Sequence, residues 1–191
     1  FLAPEAGRVS WRGKDLGPLG PGARPVTTLF QDQNLFPHLT VAENVGLGLS
    51  PDLRLSEADR AEVREALRRV GLQGFETRRP GALSGGQASR VALARALVRA
   101  RPVVCKDEPF SALGPALKDE MLDLVSEVLE GALVLMVTHD PEDALRFAPA
   151  TVVVADGRVD GPHETAALFA DPPEVLRAYF GRRRWGAVSP E

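Results

Sequence analysis

The run Leu83-Ser84-Gly85-Gly86-Gln87, followed at once by a helical apolar pattern, constrains this chain more than any other stretch. Gly85 and Gly86 carry no Cβ, so the backbone there can approach another group closely. Ser84 is a good N-cap, and its hydroxyl can also meet an anionic oxygen. Behind it, Val91, Leu93, Ala94, Ala96, Leu97 and Val98 recur at helical spacing. A small-residue turn that opens a helix points free N–H groups and a positive dipole end outward, an anion-binding arrangement. By itself Ser-Gly-Gly is a common turn, and the neighbouring segments decide its meaning.

Two apolar segments end in polar chemistry. Pro102 to Lys106 leads into Asp107-Glu108, and Leu133 to Val137 leads into Thr138-His139-Asp140. Upstream, Val26 to Phe30 runs into Gln31. These short apolar runs bounded by polar turns read as strands, and Val103 to Cys105 as a buried parallel one. Thr40 with Glu43, and Ser56 with Asp59, are helix-start signatures. Val63, Leu67 and Val70 form an apolar stripe that Gly71 ends. Gly7 to Trp11 and Arg12 to Leu16 read as two short strands around a turn, and Gly17 to Pro25 as a loop. Pro115 to Glu130 and Pro141 to Phe147 read as helices. Thr151 to Asp160 reads as a hairpin around Asp156-Gly157, with terminal helices over 164–169 and 173–180. Met121 and Met136 are expected in the core. Cys105 falls within a strand expected to be buried.

The bounds agree with one domain, or a large domain with an insertion: 191 residues, 44% of them hydrophobic. A net charge of −3 does not point to nucleic acid. A single cysteine allows no disulfide within the chain, which fits a reducing compartment. No apolar run reaches the length of a membrane span, and the N-terminus does not read as a signal peptide. His38 has no companions at metal-ligand spacing.

A glutamine after a strand, a Ser-Gly-Gly-Gln turn, an acidic pair after a second strand and a histidine after a third, in that order, resemble the ATP-binding subunit of ABC transporters. The resemblance covers essentially the whole chain. It implies an α/β fold of the P-loop NTPase (RecA-like) type: a mostly parallel sheet, an inserted α-helical subdomain and a small N-terminal antiparallel β part. On it, residues 1–39 hold the N-terminal strands and the Gln31 loop, 40–101 the helical subdomain, and 102–191 the remaining core and C-terminal helices.

The resemblance also implies site roles. Ser84, Gly85, Gly86 and Gln87 would bind ATP held on a second subunit, so two sites form when two copies close head to tail. Asp107 would hold Mg²⁺ through water, with Gln31 reaching the same ion. Glu108 would act on the attacking water as general base, and His139 would contact the γ-phosphate. The cofactors implied are ATP and Mg²⁺. The implied partners are a second ATPase subunit, transmembrane permease subunits and, indirectly, a periplasmic binding protein, at the cytoplasmic face of a bacterial inner membrane. The runs Phe30 to Phe36, Gly46 to Pro51 and Val152 to Arg158 are similar to those of thiamine-importer ATP-binding subunits.

Several positions depart from that pattern. No Gly-x-x-x-x-Gly-Lys-Ser/Thr loop is present; Gly7 to Lys14 has one residue too many and Asp15 where a hydroxyl is needed. The family carries that loop upstream of the segment resembling Phe1 onward, so the expectation is an N-terminally truncated chain that binds ATP weakly and is poorly soluble alone. Ala88-Ser89 replaces an Arg-Gln pair, Gly114 an aspartate, and Lys106 an aliphatic residue. Alternation points Lys106 away from Asp107, and burying an ammonium costs several kcal/mol unless it is paired. Three readings stay open at this level. One is the ATPase subunit of an importer, for thiamine or another small solute such as an anion, iron or polyamine. The others are a degenerate non-catalytic partner and an ATP-driven switch without a membrane partner. Arg182 to Arg184 reads as a solvated tail or a contact for lipid head groups.

Overall fold

The computed structural model describes residues 4–30, 34–108 and 114–180. Gln31, the run from Pro109 to Leu113 and the tail from Arg182 to Arg184 lie outside the described residues. Internal contacts divide the chain into two units, Phe1–Val137 and Thr138–Glu191.

The first unit opens with β1 (Ser10–Trp11) and β2 (Lys14–Asp15), an antiparallel pair. Arg12 and Gly13 between them both have positive φ, at 48° and 77°. That is the backbone a tight hairpin needs, and Gly13 supplies it without cost. β3 (Val26–Leu29), β4 (Val103–Asp107) and β5 (Leu133–Val137) form a parallel sheet in that order. Register places Leu29 opposite Lys106, and Asp107 opposite Val137. Three helices intervene between β3 and β4: α1 (Val41–Gly46), α2 (Glu57–Arg69) and α3 (Gly85–Arg99). A fourth, α4 (Pro115–Val128), joins β4 to β5. The mixed α/β class, the parallel sheet and the helices inserted between its strands are as expected.

Each of the first three helices starts on a complete capping box. The pairs are Thr40 with Glu43, Ser56 with Asp59, and Ser84 with Gln87. Each box satisfies two N–H groups that the helix would otherwise leave bare. The Glu43 carboxyl is held below its usual range mainly by the Thr40 backbone N–H. α2 ends at Gly71, whose φ of +71° suits a left-handed cap.

α3 is the most enclosed helix. Val91, Ala92, Leu93, Ala94, Ala96 and Val98 are buried, and it packs against α1, α2, α4 and β3. Leu97 is only half-buried. Gly48 is what lets α1 come so close. A Cβ there would stand 2.6 Å from the Arg95 carbonyl oxygen and 2.6 Å from Val98 Cγ2. Backbone cannot yield as a flexible side chain does. Gly48→Ala is therefore expected to cost about 2–3 kcal/mol through overpacking, read as a lowered urea midpoint at unchanged slope. An unchanged midpoint would show that α1 can shift freely.

β4 is buried at Val103 and Val104, and Lys106 is only 2% exposed, whereas Asp107 faces out. Alternation therefore separates Lys106 from Asp107 as expected. Cys105 and Met136 depart from the expected burial. Each is half-buried, and the two lie on opposite faces of the sheet, Met136 beside Lys106 and Cys105 beside Leu135. On β5, Leu133, Leu135 and Val137 are exposed.

The second unit contains α5 (Pro141–Phe147), β6 (Ala150–Ala155), β7 (Arg158–Glu164), α6 (Thr165–Ala170) and α7 (Glu174–Phe180). β6 and β7 form the expected hairpin, turning at Asp156 and Gly157, both with positive φ. α6 packs on both strands and on α5, burying Leu168 and Phe169.

Candidate functional site

The Ser84 turn is held by its own side chains. Ser84 Oγ accepts from the Gln87 N–H at 3.3 Å, and Gln87 Oε1 accepts from the Ser84 N–H at 3.0 Å. Both groups sit at the surface. The cap thus orients the turn and leaves the N–H groups of Gly85 and Gly86 outside the bonds the helix makes with itself. The two glycines differ. A Cβ on Gly85 would meet nothing within 4 Å, whereas one on Gly86 would lie 2.8 Å from Leu117 Cδ2. Gly86 is buried and lets α3 approach α4; Gly85 keeps an outer surface bare.

That difference yields a paired prediction. Gly85→Ala should leave the melting temperature unchanged or slightly raised, since alanine favours a helix by up to ~1 kcal/mol over glycine. Gly86→Ala should lower stability by about 1 kcal/mol, as Leu117 has to move. Thermal melts of both variants check this. Equal melting temperatures would mean that Leu117 yields without cost.

Behind the turn, Ser89 is buried and its hydroxyl donates to the Gly85 carbonyl at 3.1 Å. Arg90 donates to the Val70 carbonyl at 2.7 Å and pairs with Glu120. It ties the end of α2 to α3 and α4. The helix start thus keeps Arg90, and uses it for packing.

At the C-terminal end of β4, Asp107 is exposed and Glu108 half-exposed. The Glu108 N–H donates to the Val137 carbonyl at 3.0 Å, so the pair leaves the sheet anchored to β5. Glu108 has φ +38°. A non-glycine residue in that region costs on the order of 1–3 kcal/mol and is concentrated at functional sites. Among the described residues no cluster of His, Cys, Asp or Glu forms a metal site by protein ligands alone. A lone exposed carboxylate such as Asp107 suits a hard cation that keeps its water and meets phosphate, as Mg²⁺ does.

His139 is exposed in the second unit, at the start of a segment fixed by local bonds. The Asp140 N–H donates to Thr138 Oγ1 at 3.0 Å, Thr138 Oγ1 bonds Asp143 Oδ2 at 3.1 Å, and Asp140 Oδ1 caps α5 through the Glu142 N–H.

Sequence reasoning missed Asn44. It is fully buried and holds the loop that follows Gln31. Its Nδ2 donates to the carbonyls of Phe36, Leu39 and Thr40, and its Oδ1 accepts from the Phe36 N–H at 2.8 Å. The one available signal was an amide inside an apolar helix start, where propensity disfavours it. His38 is exposed and edge-on to Phe36, and belongs to no cluster of metal-ligating side chains among the described residues.

The sequence profile described as ABC transporter matches residues 1–111. The thiamine import ATP-binding protein ThiQ of Cereibacter sphaeroides is 68% identical over 183 residues, spanning 95% of this chain and 79% of that protein. ThiQ of Ruegeria sp. (strain TM1040) is 55% identical over the same shares. ThiQ of Brucella suis biovar 1 is 52% identical over 188 residues, 96% of this chain and 78% of that protein. Among solved structures, the ATP-binding cassette MJ0796, a dimer in a post-hydrolysis state bound to ADP and Pi, superposes with a TM-score of 0.71 at 32% identity. That match covers 85% of this chain and 75% of that one. With a profile match over more than half its length and relatives of this identity along nearly all of it, the chain belongs to the ABC transporter family.

Proposed function

We propose that this chain is the ATP-hydrolysing subunit of an importer for thiamine or thiamine phosphates. The observation that carries the reading is the 68% identity to a thiamine import ATP-binding protein along 95% of the chain. The subunit would work as a pair, as the dimeric relative does. It would dock on transmembrane permease subunits at the cytoplasmic face of the inner membrane, with a periplasmic binding protein delivering the solute. No described helix is long and apolar enough to cross a membrane.

The residues support a division of labour across the pair. The N–H groups at the start of α3, with Ser84, Gly85 and Gly86, would grip the terminal phosphate of ATP bound to the other copy. Asp107 would hold Mg²⁺ through water, and Gln31 would reach the same position. Mg²⁺ there supplies charge neutralisation for the transferred phosphoryl group. Glu108, next along the chain, would accept the proton of the attacking water, and His139 would hold the phosphate oxygens. Closure on ATP and opening after hydrolysis would then drive the permease.

The test is uptake of labelled thiamine by cells in which the gene is deleted, with and without the gene restored. Uptake should disappear and return. Unimpaired thiamine uptake with loss of a different solute would keep the family and reject the cargo.

A further inference from the structure

The loop from Asn34 to Thr40, which follows Gln31 in sequence, is fastened by two helices. From α1, the fully buried Asn44 holds it at Phe36, Leu39 and Thr40 through four hydrogen bonds. From α3, Arg95 Nη1 donates to the Asn34 carbonyl at 2.9 Å, across 61 residues of sequence. Asn34 has φ +46°, the left-handed region that asparagine enters more readily than most residues. The same two helices carry the Ser84 turn. Arg95 stands on α3 eleven residues beyond Ser84, about three turns and ~16 Å along the axis. The start of α1 is bonded to the segment that leads into the turn. There the Val41 N–H donates to the Arg78 carbonyl at 2.8 Å, and the Ala42 N–H to the Glu76 carbonyl at 3.0 Å. Just past the end of α1, Gly48 lies against Arg95, whose carbonyl oxygen would be 2.6 Å from a Cβ there. Loop and turn are thus joined by two routes, one through α3 and one through α1, and tightly packed elements of this kind transmit a displacement.

We infer that Arg95 and Asn44 are positioning residues that make the loop after Gln31 and the Ser84 turn shift as one body. This rests on the proposed function, in which Ser84 grips the ATP of the other copy and Gln31 reaches the Mg²⁺ beside Asp107. The fastening then joins one nucleotide site of the pair to the other. Coupling over such a distance travels through packed and hydrogen-bonded elements that move together. Each of the two residues acts through the loop it holds. A misplacement of ~1 Å far from the chemistry can cost about 10²-fold in rate. Loss of the Asn44 amide would also leave buried backbone groups unpaired, so Arg95 gives the cleaner test.

Hydrogen exchange of the assembled importer, with and without a non-hydrolysable ATP analogue, tests it alongside steady-state ATP turnover. In the parent the analogue should slow exchange at Ser84 to Gln87 and at Asn34 to Leu39 together. In Arg95→Met, which keeps the apolar stem, the slowing at Ser84 to Gln87 should persist while that at Asn34 to Leu39 falls at least ~3-fold. Its kcat should fall at least ~10-fold with KM for ATP within ~3-fold of the parent, the split expected when positioning and not binding is lost. Its melting temperature should stay within ~4 °C of the parent. Arg95→Lys, which keeps a donor for the Asn34 carbonyl, should recover both the loop protection and the turnover. Asn44→Ala should repeat the methionine pattern at lower stability. The inference is overturned by loop slowing in Arg95→Met equal to the parent's, by kcat within ~3-fold of the parent, or by a lysine variant no better than the methionine one. Slowing at the turn with none at the loop in the parent overturns it as well. No slowing at either place would reject the Ser84 role, and the inference with it. Transport of a solute other than thiamine would reject the cargo alone, since the exchange comparison does not depend on what is carried.

Discussion

Lys106→Leu is expected to stabilise the protein by on the order of 3 kcal/mol near neutral pH, with ATP chemistry aside. Lys106 is 2% exposed on β4, and burial lowers its ammonium to about 7. In the unfolded chain the same group titrates near ~10.4. Between those values the unfolded state binds more protons than the folded one, so stability rises with pH from about 7 to ~10. Below about 7 the folded protein holds the side chain charged in a buried site, a state that burial disfavours. Leucine removes that cost and adds apolar surface at a site flanked in register by Leu29 and Met136. Urea unfolding at several pH values measures both effects. The variant should have the higher midpoint at pH 7 and lose the upward slope across the alkaline window. A lower midpoint, or a slope that persists, would show that the ammonium is compensated within the fold. Alternation along β4 led to the expectation of a buried ammonium with either local strain or an acidic partner, and the observed burial agrees with the alternation.

Glu108→Gln is expected to lower ATP turnover by ~10²–10⁴-fold while leaving nucleotide-driven pairing intact. Glutamine keeps the shape and the N–H to the Val137 carbonyl, which is a backbone bond. It cannot accept a proton from water. The left-handed backbone at φ +38° already marks the position as one held by its surroundings, and either side chain carries the same strain. Single-turnover hydrolysis in the assembled importer, alongside a size measurement with ATP, separates chemistry from closure. Turnover within ~10-fold of the parent would remove Glu108 from the role of base. Loss of pairing with turnover would make it a structural residue instead.

Local chemistry is written plainly along this chain. The Thr40–Glu43 box, the helix starts at Ser56 and Ser84 and the two hairpin turns were legible because their residues stand within a few positions of one another; the Ser84–Gln87 box was not read beyond its serine. The strands were legible as short apolar runs bounded by polar turns, and their parallel arrangement from the family resemblance. Lys106 and Asp107 were separable because a strand alternates.

What the tertiary structure decided are the contacts between residues far apart in sequence. Gly48 and Gly86 look alike in sequence and differ from Gly85 only through what approaches them, Arg95 and Val98 in one case and Leu117 in the other. Arg90 spans 20 residues to Val70 and 30 to Glu120. Asn44 becomes the fastening of a loop, Cys105 and Met136 come out half-buried, and Arg95 reaches the Asn34 carbonyl. A period of 2 or 3.6 states which way a side chain points along its own element. What it meets depends on which other element packs there, and that is settled by chain segments whose spacing no local pattern records.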